Sequence, residues 1–346
     1  MKKTLVALAA LAATGAFAQV TISGSMNVGY KNSAAGAGSV GALKGDRNHL
    51  TFTAAEDVGN GLKVTAALQL RYDSMHGGNT YGNTAIEGGT KGANLFEQSR
   101  LTVEGGFGTV SVGRFTNAIG VAPLHFMEDS AYSGASTSAY GRLSGQLQYL
   151  SPSFAGAQVW ALTARMDQNT YPTASGNGMT ASSVAANGVI TSGTAALRNF
   201  SAFGLNYANG PIYAQVSSIT GLYDDTNSKW GVTYNLGMAK LAVGQYRQGK
   251  AIGSGATGMT AHTTTEYGVE VPFGQFVGAV TMHRNDKDLD STKTDGTSQQ
   301  QKVGYKLYYS LNKTTTLEFE GSNTSNAGAG ASSNGTAYYL GARKTF

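Results

Sequence analysis

LKVTAALQLRYD, residues 62–73, is the stretch whose reading decides the fold. Val64, Ala66, Leu68, Leu70 and Tyr72 fall on one face of a strand drawn through it, and Lys63, Thr65, Ala67, Gln69, Arg71 and Asp73 on the other. A strand of this length crosses a bilayer when tilted, and its two faces suit different solvents, lipid and water.

The pattern recurs. Sixteen alternating segments are expected near 19–30, 47–56, 62–73, 96–105, 109–114, 143–151, 157–167, 199–208, 211–220, 228–236, 238–248, 262–271, 275–284, 300–311, 315–322 and 335–346. Between them lie short joints with turn chemistry: VGNG at 58–61, GGFG at 105–108, PSFAG at 152–156, NGP at 209–211, LG at 236–237, PFGQ at 272–275 and NKT at 312–314. The long joints 74–95, 168–198, 249–261 and 285–299 are rich in Gly, Ser, Thr and Asn. An even strand count, with short turns on one rim and long loops on the other, implies an all-β, transmembrane, antiparallel 16-stranded β-barrel. The five prolines, at 123, 152, 172, 211 and 272, fall in connections or at strand boundaries, where a missing ladder donor does no harm.

Composition agrees. Charged residues are 13%, about half the soluble norm, and 48 glycines accompany 18 tyrosines. A mean hydropathy of −0.18 excludes a bundle of membrane helices. MKKTLVALAALAATGAFA, residues 1–18, has a basic head, a short apolar run and small residues at its exit, and reads as a cleaved secretory signal peptide. Its removal takes two lysines and lowers the formal charge from +5 to +3, leaving 19–346 as the barrel domain with no charge bias towards nucleic acid. The chain has no cysteine, so the architecture alone must supply stability. A soluble β-sandwich would explain the alternation but not the final strand, which ends on Phe346 with Tyr338, Leu340 and Ala342 on one face.

One connection breaks the rule. Between TVSVGR at 109–114 and LSGQLQYLSP at 143–152 runs a long segment with no period-two alternation, carrying Ile119, Val121, Leu124, Phe126 and Met127 and then the acidic pair Glu128 and Asp129. A structureless loop of that length is usually functional. Its apolar load is a liability in water, so it is expected to fold inward and narrow the lumen.

These residues resemble the trimeric general porins of Gram-negative outer membranes. The resemblance covers the whole mature chain and rests on AAEDVGNGLK at 54–63, FGTVSVGR at 107–114, QLQYLSPSFAG at 146–156 and YYLGARKTF at 338–346. It implies a homotrimer in outer-membrane lipid and lipopolysaccharide, with a constriction loop at 115–141 and Phe346 as the signal read by the barrel-assembly machinery. It also implies passive diffusion of ions and small hydrophilic solutes. Many relatives carry arginines where this chain has His49, Thr53 and Gln148, whereas Arg142 stands where the family places one after the loop.

Facing parity names the lumen candidates. Arg47, Arg71, Arg100 and Arg142 should line the wall opposite Glu128 and Asp129, giving a transverse field at a pore constriction with a weak anion preference. The plainer readings are that the arginines are solvated lumen residues and that the acidic pair fixes the loop. Parity turns Arg114 outward unless Gly113 marks a bulge. Glu266, Glu270, Lys302, Lys306, Glu318, Glu320 and Arg343 point inward and keep the lumen wet. The histidines at 49, 76, 125, 262 and 283 have no metal spacing, and no GxSxG or GxxxxGK[ST] occurs, so no enzyme, metal site or cofactor is expected. A barrel hydrolase using His125 is the remote alternative; an adhesin or receptor using the long external loops is the nearer one.

Overall fold

A computed structural model describes residues 19–32, 42–45, 48–72, 74, 96–119, 142–164, 200–220, 227–248, 262–285, 301–325 and 335–346. The described chain runs through β1 (Gln19–Asn32), β2 (Ala42–Lys44), β3 (Asn48–Gly59), β4 (Leu62–Tyr72), β5 (Phe96–Gly105), β6 (Gly108–Thr116), β7 (Arg142–Leu150), β8 (Ala157–Ala164) and β9 (Phe200–Asn209). It continues through β10 (Ile212–Thr220), β11 (Asn227–Asn235), β12 (Lys240–Gln248), β13 (His262–Phe273), β14 (Phe276–Asn285), β15 (Gln301–Asn312), β16 (Thr315–Ser325) and β17 (Gly335–Thr345).

From β3 onward each strand pairs antiparallel with the next, and β1 closes the sheet. Its outer half, Ser25–Asn32, pairs with Tyr338–Thr345 of β17, while Gln19–Ser25 pairs with His49–Ala55 of β3 and Gly29–Lys31 with β2. Because β2 and β3 share one edge of β1, the segments occupy sixteen positions in a closed barrel. Those are the sixteen expected from the sequence, with β2 an addition too short to show a period.

The alternation sorts the faces. Val20, Ile22, Leu101, Val112, Leu147, Val159, Val216, Val280 and Leu340 stand exposed on the outside, while Ser25, Asn27, Ser111, Gln146, Gln215, Glu266 and Glu318 are buried on the lumenal wall. In lipid every backbone donor and acceptor must be met within the protein, which a closed ladder achieves and an open sheet does not.

Register shifts re-aim individual side chains. Gln69 pairs with Gln98 but Leu70 with Phe96, so Glu97 is the extra residue and is buried on the lumenal side. A second shift lies between Gly113, at φ 128°, and Phe115. In the ring β1 neighbours β17, β2 and β3, and β3 and β4 separate it from β5.

Closure is locked at Phe346, whose N–H and C=O both bond to Gly24 at 3.0 and 2.9 Å. A Cβ on Gly24 would stand 2.7 Å from the Phe346 ring, so this glycine is the socket for that ring. Inside the barrel, Tyr339 is fully buried and its hydroxyl donates to Asn27 across the same seam. Overpacking the socket with Gly24→Val should destabilise closure by about 1–3 kcal/mol. Like deletion of Phe346, it should lower the yield of heat-modifiable barrel on semi-native gels while leaving the conductance of pores that do form unchanged.

Candidate functional site: the lumenal wall and the turn at 117–119

After Thr116 the chain leaves the wall. Asn117, Ala118 and Ile119 are buried, and side chains from three other strands hold their backbone. Asn117 Nδ2 donates to Gln146 Oε1 at 2.6 Å, and Gln146 Nε2 donates to the Phe115 carbonyl at 2.9 Å. The Ala118 N–H donates to Gln148 Oε1 at 2.8 Å, and the Ala118 carbonyl accepts from Gln215 Nε2 at 2.6 Å. Lys229 Nζ, on β11, donates to the Ile119 carbonyl at 3.0 Å. Five strand positions separate β6 from β11, about 24 Å along the wall at ordinary strand spacing. A backbone next to β6 can meet Lys229 only from inside the barrel.

The wall under this turn is apolar, which departs from the simple rule of apolar outside and polar inside. Trp160, Leu162, Ala164, Ala202, Ile219 and Tyr246 form one buried cluster on the inner faces of β8, β9, β10 and β12, and Ala118 and Ile119 pack into it. The side chain of Ile119 is fully buried. The apolar load that made an exposed loop implausible is thus matched, at Ile119, by an apolar patch on the wall.

Elsewhere the wall is ionic, and its carboxylates are matched. Arg71 Nε lies 3.0 Å from Glu97, and His283 Nδ1 lies 3.0 Å from Glu266. Glu270 bridges Lys240 at 3.2 Å and Lys306 at 2.8 Å. Glu318 sits 2.7 Å from Arg343 and accepts from Asn27 at 2.6 Å, while Glu320 accepts from the Tyr308 hydroxyl. The ring of Tyr308 in turn lies 5.2 Å from Lys306 Nζ and 5.8 Å from Arg343 Cζ.

Of the expected constriction residues, Arg71 is paired with Glu97. Arg100 is exposed to the lumen, with its guanidinium 5.8 Å from the centroid of the buried Phe115 ring and no ion pair among the described residues. Arg142 opens β7 opposite Thr116, but its side chain lies outside the described residues, as do Arg47, Glu128, Asp129 and the rest of the loop beyond 119. The long external connections on which an adhesin would depend lie there too, as does the 1–18 segment. Arg114 donates Nε to the Glu97 carbonyl at 3.2 Å. The sequence reading missed Glu97, hidden by the bulge, and Lys229 and Gln215, which parity with Trp230 and Val216 places inward but whose target only the fold reveals.

A closed barrel with a lipid-facing exterior, a charged lumen and a chain segment turned inside defines a transmembrane pore. The chain belongs to the Gram-negative porin family, whose profile matches residues 4–342. It is 28% identical over 271 residues to outer membrane porin protein 32 of Delftia acidovorans, covering 70% of this chain and 68% of that one. Its fold is shared with the anion-selective porin from Comamonas acidovorans, at a TM-score of 0.65 and 21% identity, over 95% of this chain and 100% of that one. A triple mutant of Rhodopseudomonas blastica porin gives a TM-score of 0.66 at 14% identity, with the same coverage. The protein is an outer-membrane porin, a β-barrel channel.

Lys229 should be what fixes the turn. Lys229→Met removes the donor from the buried Ile119 carbonyl, a loss of about 1–3 kcal/mol. Raised open-channel noise and a shifted mean conductance in single-channel recordings are expected, with Lys229→Arg restoring both towards wild type.

Proposed function

We propose that this porin passes ions and small hydrophilic solutes by passive diffusion with a weak preference for anions, and that the segment 115–141 sets its narrowest point. The observation that carries this reading is the matching of the described lumenal carboxylates. Glu97, Glu270 and Glu318 each face an arginine or lysine, Glu266 faces His283 and Glu320 accepts from the Tyr308 hydroxyl, whereas Arg100 faces the lumen beside the Phe115 ring with no ion pair among the described residues. A paired carboxylate presents little net field to a passing ion; an unpaired guanidinium presents a full charge. Arg47, Arg142, Glu128 and Asp129 are assigned to the same constriction on the sequence pattern. The name of the Comamonas relative, an anion-selective porin, agrees with the sign.

The functional unit is taken to be a homotrimer, inserted after removal of 1–18 and with Phe346 read by the assembly machinery. The outward faces of β5 and β6, with Leu101 and Val112, supply apolar surface for contact between copies. A heat-modifiable band at three times the chain mass is expected, collapsing on boiling.

Reversal potentials under a KCl gradient test the selectivity. Arg100→Ala should move the potential towards cation selectivity and Glu128→Ala towards anion selectivity. Opening a wall pair with Arg343→Ala should move it towards cations by exposing Glu318. Potentials unchanged by all three would place the selective region elsewhere and overturn the reading.

A further inference from the structure

Towards the rim of the long connections, one row of the lumenal wall carries a carboxylate, an imidazole and an ammonium group side by side. Glu266 on β13 pairs in register with His283 on β14, and His283 pairs in register with Lys302 on β15. All three side chains point inward, because the exposed Tyr267, Val280 and Val303 hold the outward parity of the same strands. Opposed side chains on one face have Cβ atoms about 4.5–5.5 Å apart, so neighbours in this row are within reach of each other.

The row is incompletely matched. His283 is 8% exposed; its Nδ1 lies 3.0 Å from Glu266 Oε1 without the alignment of a hydrogen bond, and its Nε2 has no partner among the described residues. Lys302 is half-buried and makes no hydrogen bond or ion pair among the described residues, while the charge of Lys31 on β1 repels it. Thr281, also inward on β14 and 1% exposed, has a hydroxyl with no partner among the described residues. Its neighbours in register are Gly268 and Gly304, so the wall itself bears no side chain on either side of that hydroxyl. The other charges facing inward from β12 to β16 are engaged: Glu270 with Lys240 and Lys306, and Glu320 with Tyr308.

What these groups lack in common is an acceptor. A buried polar group left without a partner costs about 1–3 kcal/mol, and a charged one costs more. Lys302 is a permanent donor and the Thr281 hydroxyl can turn to donate, but an imidazole has a donor at both nitrogens only when protonated. In that state one N–H of His283 faces Glu266 and the other is free for an anion shared with Thr281 and Lys302. The anion also offsets the repulsion between the imidazolium and Lys302. Space one side chain wide suits a single ion.

We infer that His283, Thr281 and Lys302 form a binding site for a halide ion, assembled by protonation of His283. The site deepens the proposed anion preference and rests on that reading for its route of access.

The test uses crystals of the refolded full-length protein soaked in graded sodium bromide at about pH 5 and about pH 8, the interval across which a histidine changes charge. Anomalous diffraction locates the bromide. In wild type a peak should stand against His283, Thr281 and Lys302, with a half-saturating concentration about tenfold or more lower at the acid pH, since one bond to a charged group is worth at least that factor. H283Q should bind bromide weakly and equally at both pH values, and K302M should lose the peak at both. The two wild-type series decide the matter even if a variant folds poorly. No peak in wild type, equal half-saturation at the two pH values, or a peak retained in K302M would overturn the site. Equally strong peaks at exposed lysines would mean an adventitious ion only, and would also overturn it. Bromide bound as expected while Arg100→Ala leaves the reversal potential unmoved would support the site and fault the constriction reading alone.

Discussion

Ring closure is the constraint on which everything else in this barrel depends. A bilayer offers no hydrogen bonds to a free strand edge, so β1 must satisfy β17 on one side and β2 and β3 on the other. The seam is reinforced on both faces, by Phe346 in the Gly24 socket outside and by Tyr339, Asn27 and Glu318 inside. No disulfide takes part, and the exterior contributes no packed core in an isolated chain. Cohesion resides in the ladder and in the polar wall.

That wall solves a second problem. Charged groups drawn close together around a lumen are stable only when partnered, because leaving one of a buried pair alone costs several kcal/mol. The wall from β12 to β17 is accordingly a chain of matched groups: Lys240, Glu270 and Lys306, then Tyr308 with Glu320, then Arg343 with Glu318. Rigidity and electrical quiet come together there. Arg100, which lies beside the Phe115 ring and makes no ion pair among the described residues, stands outside this arrangement.

The opposite wall, β8 to β12, trades charge for apolar surface and so accepts a segment of backbone. Ile119 fills the cluster built on Trp160, Leu162 and Ile219, while Gln148, Gln215 and Lys229 satisfy the peptide groups beside it. A turn placed inside a pore must meet both demands at once, and the wall under residues 117–119 supplies both.

The sequence by itself determined the strands, their number, their faces and the closed barrel, because lipid on one side and water on the other impose a period of two that any strand such as 62–73 displays. It also marked 115–141 as a segment needing cover, through Ile119 and its apolar neighbours, and it named Arg71 and Arg100 as lumenal by parity. Only the tertiary structure decided who meets whom. Glu97 turned inward because one extra residue at a bulge reversed its face, which no alternation count can show. Lys229 reached Ile119 because closing the ring brought β11 across from β6, a contact between residues more than a hundred apart. The apolar inner wall escaped notice for the same reason: Trp160 and Leu162 fit either face of an isolated strand, and only the closed lumen shows what lies opposite them.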